Sequence, residues 1–286
     1  MKIKTLIIAS LLFVIPFSCL MSQGDTGIPV TTGPAKGSLV IVGGGRLSDT
    51  IIERFIDLAG GPEARIVVVP TAAGAESYSE RDGDILRSRG AKNVTVLHTD
   101  NRDTANSVFF TRPLADATGV WFGGGRQWRL VDSYKGTLSE KMFRDVLNRG
   151  GAIGGSSAGA TIQGSFLTRG DTKDNQVMMG DHQKGFGYVT NIAIDQHVLA
   201  RDRQFDMYRI LKEKPELLGI GIDENTAVIV QGDTMEVLGA SYVLIYDGTF
   251  WSREGSDQKI LPQKDFLFYM LKTGDKYDLR KRKVIE

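Results

Sequence analysis

From Gly37 onward, short apolar runs alternate with longer amphipathic stretches. Ser38-Leu39-Val40-Ile41-Val42 is apolar and stops at Gly43-Gly44-Gly45. A run of that length bounded by glycine predicts a buried strand. Leu47 to Leu58 follows with apolar residues at helical spacing. Arg65 to Pro70, Val94 to Leu97, Gly119 to Phe122 and Ala152-Ile153 repeat the strand signal. Between them, Ser77 to Arg89 and Leu138 to Asn148 read as helices. Such alternation predicts a parallel sheet with helices on both faces. Further on the pattern changes. Gly219 to Ile222, Ala227 to Gln231, Met235 to Leu238 and Ser241 to Tyr246 are strand-like runs separated by few residues, which predicts antiparallel strands at a sheet edge. No internal repeat is present. The basic stretch Arg280-Lys281-Arg282-Lys283 reads as a solvated C-terminal end.

The first 36 residues carry a different pattern. Met1-Lys2-Ile3-Lys4 precedes an apolar run from Thr5 to Phe17, the layout of a secretory signal peptide over residues 1–18. The run is shorter than the roughly 20 apolar residues of a spanning helix. Cys19 follows Ser18 at its end. Two alternatives stay open there: a lipoprotein cleavage site with Cys19 lipidated, or an ordinary signal peptide with an incidental cysteine. Pro16 and Phe17 fit the lipoprotein pattern poorly. Residues 19–36, rich in Gly, Thr, Ser and Pro and without periodicity, read as a flexible tether, leaving 37–286 as one α/β domain. The expected location is outside the cytoplasm, periplasmic or cell-surface, with membrane contact only through a lipid at Cys19.

Composition narrows the chemistry. The 286 residues include 35 Lys and Arg against 34 Asp and Glu, a formal net charge of +1. That balance argues against a general nucleic-acid binder. One cysteine and three histidines leave little material for a structural metal site. No metal and no cofactor are therefore expected. The sequence does not fix the oligomeric state, for which a homodimer is the base-rate expectation.

Many of the 34 glycines gather at strand ends. Gly43-Gly44-Gly45 superficially resembles a dinucleotide loop, but Ser48 stands where the third glycine belongs. A tight strand-to-helix turn is the simpler reading. Gly123-Gly124-Gly125-Arg126-Gln127 follows the fourth strand, and Gly154-Gly155-Ser156-Ser157-Ala158-Gly159-Ala160 the fifth. The last contains Gly155-x-Ser157-x-Gly159. A sharp strand-to-helix turn of this kind projects a serine from the sheet edge, and the helix behind it offers N–H groups to an oxyanion. The bland alternative is a glycine-rich turn with a helix-capping serine.

A serine nucleophile needs a base, and the base an orienting carboxylate. His98, His182 and His197 are the only histidines. His197 is favoured over His182 because it ends the polar cluster Asp195-Gln196-His197 after the apolar Ile192-Ala193-Ile194. The acidic pair Asp223-Glu224 closes the apolar run Gly219 to Ile222; such a pair can mark a site, though a surface turn is the commoner explanation.

The blocks Gly155-Ser156-Ser157-Ala158-Gly159-Ala160, Asp195-Gln196-His197 and Gly221-Ile222-Asp223-Glu224-Asn225-Thr226-Ala227 together resemble the three signature blocks of the cyanophycinase family, grouped with dipeptidase E-type (aspartyl dipeptidase) serine peptidases. Their order, with His197 40 residues after Ser157 and Glu224 27 after His197, matches as well. The resemblance implies a three-layer α/β/α sandwich related to class I glutamine amidotransferases, with a mostly parallel central sheet and antiparallel edge strands. It implies Ser157 as nucleophile, His197 as general base and acid, and Glu224 as the histidine's carboxylate. Backbone N–H groups near Gly124, Gly125 and Ala158 would meet the oxyanion. Gln127, Asp195, Gln196 and Arg201 fall at substrate-site positions. The implied partner is a peptide with acidic or β-aspartyl residues, such as a β-linked aspartyl-arginine chain.

Two positions depart from the family pattern. Arg126 stands where aspartate is usual, and Asp206 where an arginine is expected nine residues after the histidine. Arg126 is then the candidate for supplying the displaced positive charge to the substrate. Alternatives from other classes are a non-catalytic peptide-binding member of the same fold and a serine esterase with a different substrate. An α/β-hydrolase places its acid before the histidine, the reverse of the order here. A glutamine amidotransferase proper needs cysteine where Ser157 stands.

Overall fold

The computed structural model describes residues 30–74, 78–247 and 268–286. The expected signal peptide, Cys19 and most of the expected tether lie outside the described residues.

Five parallel strands form one half of a large sheet: β1 (Ser38–Val42), β2 (Arg65–Val69), β3 (Asn93–Val96), β4 (Gly119–Phe122) and β5 (Ala152–Ser156). Antiparallel strands β8 (Thr226–Gln231), β9 (Thr234–Gly239), β12 (Lys276–Asp278) and β13 (Lys283–Ile285) continue it. The order is β13-β12-β9-β8-β1-β5-β4-β2-β3. β1 is the hinge of the arrangement, parallel to β5 on one side and antiparallel to β8 on the other.

Strand alternation sorts the two faces. Leu39, Ile41, Val67 and Val69 join one hydrophobic core, whereas Val40, Val42, Ile66 and Val68 join the other. Helix α1 (Asp49–Leu58) buries Ile51, Ile52, Phe55 and Ile56 against the second face, where α2 (Asp84–Arg87) adds Leu86. Helices α5 (Gln127–Tyr134) and α6 (Leu138–Asn148) bury Leu130, Tyr134, Phe143 and Val146 against the first. Both faces of the parallel half are thus covered, as buried parallel strands require. The short helices α3 (Arg102–Ala105) and α4 (Val108–Thr111) lie between β3 and β4 in sequence, and α7 (Ala158–Thr161) follows β5 directly.

The later strands divide where the sequence pattern predicted one antiparallel edge. β8 and β9 do extend the large sheet. The run at 219–222 becomes β7 (Leu218–Ile222), in a separate four-stranded sheet ordered β11-β10-β7-β6. Its partners are β6 (Ile192–Gln196), β10 (Val243–Tyr246) and β11 (Tyr269–Leu271), with β6 parallel to β7. Burial explains the division. Ile220, Ile222, Val243 and Ile245 pack into the same core as the large sheet's Val228, Val230 and Val237, so the sheets face each other across it. Helix α8 (Tyr208–Glu213) covers the small sheet's outer face with Ile210 and Leu211 beside Leu244 and Tyr246.

Two other expectations change. The helix read over 77–89 is a single 3-10 turn, Glu80–Gly83, running into the four-residue α2. Ser79 and Asp82 form a capping box there, so the turn starts three residues later than the periodicity suggested. The basic end is also not all solvated. Arg282 is buried and donates to Thr31 Oγ1 at 2.8 Å and to the Glu216 carbonyl at 2.5 Å. Thr32 bridges to Thr190, and Gly33 N–H donates to Asp233 at 3.2 Å. Residues 31–33, within the stretch read as a tether, are therefore packed against the body.

Glycine is obligatory where β5 turns into α7. A Cβ on Gly159 would lie 2.2 Å from the Phe122 carbonyl oxygen, well inside contact distance. Gly159→Ala is expected to cost about 1–3 kcal/mol through backbone displacement, read as a thermal midpoint lowered by several degrees. An unchanged midpoint would show that the β4–α7 contact is slack.

Candidate active site

Four strand ends converge at the seam between the two sheets. Gly43 to Gly45 follow β1, Ser157 follows β5, His197 follows β6, and Glu224 lies between β7 and β8. All sit at carboxyl ends of strands, the edge where open α/β folds place their ligands.

Ser157 adopts φ 56°, ψ −111°, a conformation rarely held by a residue with a side chain. Its N–H donates to the Val42 carbonyl at 3.0 Å, and its own carbonyl accepts from Ala160 and Thr161 N–H. β1 and α7 therefore enforce the strained turn together. His197 is also left-handed, at φ 55°, with its N–H donating to the Gly43 carbonyl.

These constraints align three side chains. His197 Nδ1 lies 2.6 Å from Glu224 Oε1, and Nε2 lies 3.0 Å from Ser157 Oγ. An ionised carboxylate can only accept, so Nδ1 carries the proton, and the neutral ring turns its Nε2 lone pair to the serine hydroxyl. Burial pushes the imidazole below the usual histidine range. The hydrogen bond to Glu224 opposes that shift, and Arg201 and Arg203 add to it. The ring thus favours its neutral form near pH 7, with a lone pair able to accept a proton.

The first glycine loop, read from sequence only as a tight turn, fits around this pair. A Cβ on Gly44 would fall 2.2 Å from His197 Cε1, and one on Gly45 2.5 Å from Glu224 Oε2. Asn225, at φ 50°, donates its N–H to the Gly44 carbonyl and accepts the Ser48 N–H at the start of α1. Asp223, on the other side of Glu224, accepts from Leu199 and Ala200 N–H at 3.0 and 2.9 Å and from Ser241 Oγ at 2.6 Å. It pins the turn that follows His197. Sequence reasoning noted Asp223 only as a neighbour of Glu224. Its place at a strand end was visible, but its long-range partners were not.

Gly124 lies beside Ser157: a Cβ there would sit 3.5 Å from the serine Cβ. Gly125, at φ 136°, is pressed against the Ala72 carbonyl, which also accepts the Arg126 N–H at 2.8 Å. Gly124 and Gly125 are exposed, and Ala158 is buried directly after the serine. Gln127, the first residue of α5, is buried and its Nε2 donates to the Thr168 and Arg169 carbonyls at 2.7 and 2.9 Å. Its amide N–H groups therefore hold the 168–169 segment.

Asp195 is buried, with its two oxygens accepting from Arg169 Nε and Nη2 at 2.8 and 2.9 Å. The resemblance places Asp195 against substrate, but here the carboxylate is committed to the interior. Gln196 Oε1 accepts from Arg203 at 3.1 Å. Arg201 is exposed on the turn after His197. Arg126 caps α5 and donates Nη2 to the Asp171 carbonyl at 2.7 Å. Asp206 itself meets Arg169, whose Nη2 lies 2.6 Å from Asp206 Oδ2. Arg169 lies outside the three motif blocks, and its role is set by this packing alone. The other histidines are elsewhere: His98 bonds Thr71, and His182 lies between Asp132 and Asp181. Among the described residues no group of three or more His, Cys, Asp or Glu side chains is placed to hold a metal ion.

The fold recurs in solved peptidase structures. A peptidase from an acI-B1 Actinobacterium superposes with a TM-score of 0.62 at 23% identity, covering 85% of this chain and 97% of that one. A putative peptidase E protein from Listeria monocytogenes EGD-e gives a TM-score of 0.53 at 17% identity, over 72% of this chain and 100% of that one. Residues 39–238 match the family model described as Peptidase family S51, and the chain belongs to that family. Curated relatives include a cyanophycinase from Geminocystis herdmanii, 29% identical over 256 residues and covering 85% of this chain and 94% of the relative. A cyanophycinase from Trichormus variabilis is 27% identical over 273 residues, covering 89% and 90%.

In an NMR titration the His197 imidazole is expected to protonate with a midpoint below 6.5. Glu224→Gln should lower the midpoint further, because it removes the neighbouring negative charge that favours the cation. A midpoint that rises in that variant would contradict the pairing.

Proposed function

We propose that this family S51 peptidase is an exported, serine-type enzyme that hydrolyses aspartyl or β-aspartyl bonds. The observation that carries the reading is the hydrogen-bonded series Ser157, His197 and Glu224, at 3.0 and 2.6 Å. As His197 Nε2 takes the hydroxyl proton, Ser157 Oγ bonds to the scissile carbonyl carbon. The resulting oxyanion is met by N–H groups at Gly124, Gly125 and Ala158. Collapse breaks the C–N bond, and His197 returns the proton to the leaving amine. The acyl-serine ester is then attacked by water, which gives a proton to His197 and releases the acid as Ser157 recovers its hydrogen. Glu224 stabilises the imidazolium that forms in each half-reaction.

Preference for acidic substrate is supported by the charge around the base. Arg201 and Arg203 both act on His197, and guanidinium groups suit carboxylate recognition. The relatives are named cyanophycinases, which makes β-aspartyl-arginine the first peptide to test. Export is argued from residues 1–18 alone, and a lipid anchor from Cys19.

The deciding experiment is hydrolysis of a panel of α-aspartyl, β-aspartyl-arginine and β-aspartyl-lysine peptides. Ser157→Ala should lower kcat by about 10⁴-fold or more. A serine-directed phosphonylating reagent should label the wild type at Ser157 and not this variant. Full peptidase activity in Ser157→Ala would remove the mechanism. A wild type that binds acidic peptides without cleaving any would be a binding protein on a peptidase fold.

A further inference from the structure

Arg201 and Arg203, the two arginines that act on His197, belong to a cluster of five charged side chains with Arg169, Asp195 and Asp206. Three guanidinium groups and two carboxylates leave it one net positive charge. The members are not equivalent. Arg169 is fully buried, with Nε and Nη2 on Asp195 and Nη2 also on Asp206. Burial acts to lower its pKa, but the two carboxylates more than offset this and raise it. Its charge is fixed, and no part of its side chain reaches the surface. Asp195 is equally enclosed.

Asp206 differs from both. It keeps 28% of its side chain exposed while holding Arg169 through Oδ2 alone. Its N–H donates to the Arg203 carbonyl, within the turn that leaves His197. Arg203 has a buried head, and Nη1 bonds only the neutral carbonyl and amide oxygens of Gln196. Burial and then the Arg169 charge lower its pKa, and Asp195 and Asp206 oppose them. Asp206 is therefore a partly exposed carboxylate that offsets Arg169 and Arg203.

We propose that Asp206 is a specificity-determining residue: its negative charge offsets Arg169 and limits how strongly the site attracts a carboxylate on the acyl-donating residue. The inference rests on the acidic-peptide reading above. With Asp206 the cluster holds one positive charge, and without it two. The carboxylate thereby also admits substrates whose acyl residue is neutral.

The test compares kcat/KM for β-aspartyl-lysine with that for its α-carboxamide analogue, which differs only in a carboxylate on the acyl-donating residue. In Asp206→Asn the acid-to-amide ratio should rise about tenfold at low salt, falling back as salt is added. Asp206→Glu keeps the charge and should hold the ratio within about twofold of wild type. Arg201→Gln removes an exposed charge of the opposite sign and should lower the ratio, which keeps the proposal testable if the asparagine variant fails to fold. A ratio unmoved in the folded asparagine variant, or moved equally by the glutamate variant, would overturn it, as would an unmoved ratio in Arg201→Gln.

An NMR titration of His197 without substrate gives an independent reading. The titrating ring faces Glu224, Arg201 and Arg203, and Asp206 opposes Arg203, so loss of Asp206 should lower the ring's midpoint relative to wild type. A wild type that cleaves neither peptide would defeat the peptidase reading. The titration would still decide whether Asp206 offsets charge at the base, and an unmoved midpoint would count against it.

Discussion

A side chain of any size on Gly44 would occupy the space of the His197 ring. That exclusion sets much of what surrounds the site. For Glu224 to reach Nδ1 and Ser157 to reach Nε2, the imidazole must lie close against bare backbone. β1 supplies that backbone, and it can do so only by ending in glycine between the two sheets. The same strand pairs with β5, which delivers the serine, and with β8, which starts just after the glutamate. Three side chains from distant parts of the sequence thus share one reference surface. The left-handed turns at Ser157, His197 and Asn225 are local strain that this surface and its hydrogen bonds sustain.

Electrostatics is layered on that geometry. Close to the ring, burial and two arginines favour the neutral base, while Glu224 favours the cation. The net effect lies below the usual histidine range, on the side of the neutral ring. Further out, Arg169 joins β6 to the turn after His197 through Asp195 and Asp206. Its carbonyl also accepts from Gln127, at the start of the helix that follows Gly124 and Gly125. One buried arginine therefore links the turn after His197 to the start of the helix that follows Gly124 and Gly125.

The parallel half of the large sheet was legible in the sequence because β1, β2 and β4 are short apolar runs closed by glycine or proline, and β3 and β5 recur at the same strand–helix spacing. The serine turn, His197 and Glu224 were legible because three motif blocks occur in order. What escaped were relations fixed only by packing. Ile220 and Val228 look alike as strand residues, and only the core between them assigns one to each sheet. Asp206 read as a charge reversal with Arg126 as its remedy. Nothing in the local pattern around Arg169 shows that it folds back to meet two aspartates 26 and 37 residues away. The short 3-10 turn at Glu80–Gly83 escaped for a simpler reason, since an interior glycine and a capping serine outweigh helical periodicity.

The buried tie between Arg282 and Thr31 brings two chain segments 251 residues apart into direct contact. Where both ends of a fold meet, the point at which the polypeptide starts is an accident of its gene rather than a demand of its architecture. A circularly permuted chain, joined there and opened in the stretch between Ser157 and His197, would read histidine, glutamate, serine from its new beginning. The same atoms would still converge at the seam. The serine-first order, which helped separate this chain from α/β-hydrolases, is thus not a requirement of the chemistry.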